Sequence, residues 1–225
     1  SFNDVYSIRP EEIQLGFLKL LRGSSMREEA HEYEMKYSPY PPYEILSTKD
    51  ISYDELNLLK KVEHMVDKYY NSQKFDNIIK YFEPKFNTPF EMFYSLSRFF
   101  DEKGYFNRNI GNNEYYKVFL DFNSKIIKED NHILRDIIRY DYLNSNKRRG
   151  MPEFLVSKIA KEEEEKIKEK YRGEYSFRDY YVEKFCININ KFIQIILSML
   201  IYLIFSYKTL HYHYLISTNF YNIIF

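Results

Sequence analysis

The chain has 225 residues, with 33 basic and 33 acidic side chains and a formal net charge of zero. That length holds one large domain or two small ones, and the balanced charge gives no electrostatic basis for binding nucleic acid or an anionic membrane. A single cysteine, Cys186, excludes a disulfide framework and a cysteine-rich metal site, and fits a reducing cytoplasm.

Near the N-terminus, Asp4, Arg9, Glu11 and Glu12 interrupt any apolar core of a signal peptide. Residues 13–23 are nearly continuous apolar residues closed by Gly23, the pattern of a strand buried on both faces, as in a parallel sheet. Few other segments read this way, and the chain opens on Ser1, so the strand is expected to be a piece of a larger sheet domain. Ser25 and Glu28 have capping-box spacing, which predicts a helix over 24–35. The run from Pro39 to Pro42 favours extended backbone, and Ile45-Leu46 reads as a short strand.

Helical periodicity then takes over. Ser52 and Glu55 form a second capping box ahead of Leu56, Leu59, Val62, Val66 and Tyr69, with a break at Asn71-Ser72. Phe75, Ile78, Ile79 and Phe82 give the next helix one apolar face, followed by Pro84. Thr88-Pro89-Phe90-Glu91 supplies an N-cap and a proline at the first helical position, and Gly104 stops that helix. Further helices are predicted over 113–128, 131–143 and, dominated by charge, 152–171. The fold class expected is mostly α, with a short α/β remnant of a barrel at the N-terminus followed by a helical domain.

Residues after 185 differ. After Glu183 there is no Asp or Glu, and from Phe185 there is no Gly, Ala or Val. All five types share codons that begin with G. The bias reads as out-of-frame translation of AT-rich DNA. The other reading is a membrane anchor, because residues 192–207 are uncharged and mostly apolar; a span normally needs about 20 residues.

The order of several segments carries a resemblance. Arg9-Pro10, Leu15 to Leu21 with Gly23, Pro41 to Leu46, Tyr69 to Ser72, Thr88 to Glu91, Leu134 to Asp136 and Arg139 to Leu143 follow one another as they do in one family. Over residues 1–185 the chain resembles the C-terminal portion of cobalamin-binding radical SAM proteins, as found in anaerobic bacteria. The resemblance implies three segments: the end of a radical SAM barrel over 1–50, a helical C-terminal domain of unknown function over 51–185, and a non-native tail over 186–225. For the intact family it implies an iron–sulfur cluster, S-adenosylmethionine and cobalamin, with reductive cleavage of S-adenosylmethionine yielding a substrate radical. The cluster-binding C-x3-C-x2-C loop is not in this chain, so no cofactor and no catalytic residue is expected in it. In a barrel, polar groups at strand ends can face the active site, which makes Gln14 and Lys19 the substrate-facing candidates.

The best polar constellation lies in the segment 131–143. Arg135 and Arg139 share one helical face, and Asp136 stands three residues before Arg139. One reading gives Arg135, Arg139 and Asp141 an anion or partner contact; the other makes them ion pairs that tie helices together. His211 and His213 share one strand face but have no acidic neighbour, and no metal site is expected. His64 is expected to be a partly exposed structural residue. Partners remain unassigned, with two alternatives to the fragment reading: a stand-alone helical interaction module, and a small membrane-anchored protein held by residues 192–207.

Overall fold

The computed structural model describes residues 1–146, 150–156, 161–170, 181–189, 191 and 221–224. In chain order the elements are α1 (Phe2–Ser7), α2 (Ser25–Glu28), β1 (Lys36–Tyr37), β2 (Ile45–Ser47), α3 (Tyr53–Met65), α4 (Asp76–Phe82), α5 (Pro89–Glu102), α6 (Asn112–Phe122), α7 (His132–Ser145), α8 (Lys161–Lys170), β3 (Tyr181–Lys184) and β4 (Tyr221–Ile224). Two π-helical turns, Val66–Asn71 and Asn123–Ile127, extend α3 and α6. The chain is mostly helical, as its periodicity predicts, with a small antiparallel pair near the N-terminus.

Two compact units are formed. The first takes residues 1–72 and 86–107; the second takes 73–85 and 108–225. Both draw on separated stretches of chain, so the compact units do not follow the segment borders expected at residues 50 and 185.

In the first unit α3 packs on α5. Ser52 accepts the Glu55 amide, and the Glu55 carboxylate accepts the Ser52 amide at 2.8 Å, so the expected capping box starts α3. Val62, Met65 and Tyr69 on one side and Phe93, Leu96 and Phe100 on the other are all buried, with Tyr69 and Phe100 edge to face. Thr88 caps α5 and Pro89 opens it, while Asn3 of α1 accepts the Phe90 amide at 3.0 Å. Phe2 and Tyr6 of α1 close the aromatic cluster against Phe93.

The segment 13–23 departs from expectation. Ile13 and Leu20 are buried, but Gln14, Gly16, Leu18, Lys19 and Leu21 are exposed. Its backbone makes one isolated antiparallel bridge, Lys19 to Glu44, with the Leu20 amide donating to Tyr43 and the Ile45 amide to Leu18. Apolar composition was read as two covered faces; the structure covers one, and anchors the segment with Asn71, which holds both the amide and the carbonyl of Ile13. The helix expected over 24–35 is also shorter. Ser24, not Ser25, is its N-cap, and it ends in a 3-10 turn at Glu29–His31.

The second unit is built around α7, whose residues Asp136 to Leu143 are all buried. The Phe75 ring lies tilted against Tyr116 of α6 at 4.5 Å, and Phe82 of α4 meets Phe119 and Phe122. Asn123, at the start of the second π turn, donates to the carbonyls of Glu129 and Asp130 and so fixes the turn into α7. Lys128 takes the left-handed conformation that ends this turn. β3 and β4 pair antiparallel, Tyr181 opposite Ile224 and Lys184 opposite Tyr221. Glu162 and Glu165 of α8 are exposed, and Glu163 pairs with Lys184 at 3.2 Å. Among the described residues no helix is long and apolar enough to cross a membrane; the run 192–207 and the pair His211 and His213 lie outside them.

Candidate functional site

Three charged side chains lie buried on α7: Asp136, Arg139 and Asp141. A buried charge is costly unless it is paired and hydrogen-bonded, so their partners define what they do.

Asp136 and Arg139 are one helical turn apart and pair at 3.1 Å. The other carboxylate oxygen of Asp136 accepts the amides of Cys186 and Ile187. The Arg139 guanidinium donates to the Lys184 carbonyl at 2.9 Å and stacks on the Phe185 ring at 4.8 Å. Phe185 and Ile189 are buried. The pair therefore fastens residues 184–189 to α7.

Asp141 does something different. One of its oxygens accepts the amides of Asn77 and Ile78, both at 3.0 Å, and the other accepts the Asn77 side-chain amide at 2.6 Å. These are first-turn amides of α4, which need acceptors at every helix start. The N-cap position of α4 is Phe75, whose side chain offers none, so the cap comes from α7. Burial pushes the Asp141 carboxyl up to about 7, assisted by the neighbouring Asp76, while the bonds from Asn77 and Ile78 pull it down. Asp76 itself is raised by burial.

Arg135, by contrast, is exposed and donates to the Phe154 carbonyl at 3.2 Å. Arg135 and Arg139 therefore do not present a joint pair of guanidinium groups. Arg139 is 1% exposed, and Arg139 and Asp141 serve internal ties. Arg139 is spent on Asp136 and the Lys184 carbonyl and Asp141 on the start of α4, while Arg135 stays exposed.

Gln14 and Lys19 are exposed in the first unit. Gln14 donates to Glu12 at 2.9 Å, and Lys19 sits at the bridge to Glu44. Neither lines the apolar cavity of about 280 Å³ beside them, whose wall includes Leu15, Phe17, Leu18, Ile45, Leu59 and Phe90. His64 is exposed, with its ring edge-on to Phe106. Among the described residues no group of three His, Cys, Asp or Glu side chains is placed to hold a metal ion.

What sequence reading missed is the cap. One signal for it was present: a helix that starts behind Phe75 lacks a local acceptor, so a distant one must supply it.

The family described as protein of unknown function (DUF4080) matches residues 31–208, most of the chain. The chain belongs to this family. The DUF4080 match contains β1, β2, α3 to α8 and β3. It also runs past residue 185, the expected frame break, and so includes the docked residues 185–189. No curated protein matches the chain, and no solved structure does.

Proposed function

We propose that this DUF4080 chain is the C-terminal portion of a cobalamin-binding radical SAM protein, acting as a helical accessory domain in the cytoplasm while the radical chemistry resides elsewhere. The observation that carries the reading is the DUF4080 match over residues 31–208, which contains most of the segments whose order resembles that family. In the intact family a cluster, S-adenosylmethionine and cobalamin would supply the chemistry. A three-thiolate cluster does not fit this chain, whose only cysteine is Cys186 on an exposed turn.

Iron and acid-labile sulfide measured after anaerobic reconstitution test this. Less than a stoichiometric cluster is expected on the purified chain; one full cluster per chain overturns the proposal. An in-frame C-x3-C-x2-C in the DNA upstream of Ser1 is the matching positive result.

A second reading, a stand-alone helical interaction module, is favoured by Leu18, Leu21 and Met26, which are 41%, 56% and 41% exposed along one stretch of the first unit. If the upstream DNA holds no reading frame joined to this one, the second reading takes precedence.

A further inference from the structure

Two arginines in the first unit share one aromatic ring. The Arg22 guanidinium lies 5.5 Å from the centre of the Tyr43 ring, and that of Arg27 lies 5.2 Å from the same ring. Arg27 also stacks on Tyr37 at 5.0 Å and donates to the Leu20 carbonyl at 3.3 Å. Tyr37 and Ile45 are partners in the β1–β2 register, which brings Tyr37 and Tyr43 to one end of this small sheet.

Neither arginine has a carboxylate partner among the described residues. The acid nearest Tyr43 in sequence, Glu44, is held by Lys60 at 2.7 Å. Glu28 follows Arg27 directly, and adjacent positions on a helix do not face each other. Arg22 is exposed and Arg27 half-buried.

A guanidinium stacked on an aromatic face keeps its charge and its fork of donors, while stacking removes part of the rotational freedom that binding would otherwise cost. A carboxylate is satisfied by one such fork. A phosphate has enough oxygens for two. We infer that Arg22, Arg27 and Tyr43 form a binding site for the phosphate group of a phosphate-bearing small molecule, with Arg27 as the fixed fork and the exposed Arg22 closing on the anion. The inference stands apart from the proposed function, since it rests on residues 20–45 alone.

Inorganic phosphate is the probe, titrated calorimetrically into the full chain at constant ionic strength set by chloride, with acetate as comparator. Saturable one-to-one phosphate binding is expected, at least tenfold tighter than acetate. Arg22→Gln and Arg27→Lys should each weaken it at least tenfold, the second because an ammonium keeps the charge but lacks the fork. Arg22 is exposed beside the Tyr43 ring, so Arg22→Gln should melt like the parent; if it does not, Arg22→Lys takes its place. No saturable binding, equal binding of acetate, or undiminished phosphate binding in both variants overturns the inference.

Discussion

Asp141 of α7 caps α4 through Asn77: one carboxylate oxygen takes the Asn77 amide at 3.0 Å and the other takes its side chain at 2.6 Å. Replacing Asp141 with Ala leaves the amides of Asn77 and Ile78 without an acceptor. The expected loss is about 2 kcal/mol at pH 5, from a lost cap and orphaned buried donors, read from urea denaturation. No change in midpoint would sink the cap.

The same carboxyl sets a pH dependence. Its folded-state pKa of about 7 lies above its ordinary value of 3.8. A raised pKa means that the folded chain holds the proton more tightly than the unfolded one. Its contribution is therefore full below 3.8 and is lost as pH rises through about 7. Stability should fall between pH 4 and 7.5 from this group, and Asp141→Asn should flatten that slope. Parallel slopes in parent and variant, followed by thermal melts across the range, would show that Asp141 does not titrate there.

Asp136 and Arg139 form a buried pair with exposures of 2% and 1%. Removing one partner strands the other, at roughly 3–5 kcal/mol. Asp136→Ala should cost at the lower end of that range and raise hydrogen exchange at the Cys186 and Ile187 amides, which lose their acceptor. The double variant Asp136→Leu, Arg139→Leu should recover part of the loss. Unchanged exchange at both amides would show that the Asp136 bonds are not what holds residues 186 and 187.

Two glycines should respond in opposite directions. At Gly16 an added Cβ meets nothing within 4 Å, so Gly16→Ala should stabilise by about 0.4–1 kcal/mol by restricting the unfolded chain. Gly104 ends α5 with φ of +66°, a left-handed conformation that costs a non-glycine residue about 1 kcal/mol or more. Gly104→Ala should lower the melting temperature. If both variants shift it alike, the left-handed geometry at Gly104 is not what sets its cost.

Much of the helical layout was legible because its signals are local. Ser52 with Glu55, and Thr88 with Pro89, mark the starts of α3 and α5 within four residues of chain. Phe93, Leu96 and Phe100 recur at helical spacing and are buried. Segment 13–23 was misread because apolar composition cannot tell a strand covered on two faces from extended chain covered on one. The π turns at Val66–Asn71 and Asn123–Ile127 were not read from the sequence, which gave continuous helix there. At the polar cluster, the types and spacing of Arg135, Asp136, Arg139 and Asp141 were readable, but the direction they face was not. That direction is set by Lys184, Phe185 and Asn77, all distant in the chain. The Tyr43 stack was hidden for the same reason, as its two arginines meet the ring only once the sheet forms.

The borrowed cap of α4 orders events on the ribosome. The acceptor for the Asn77 amide lies 64 residues further along the chain. A seven-residue helix without it is far below the length at which helices persist in water. Residues 76–82 are therefore expected to hold their helix only once residue 141 has been synthesised.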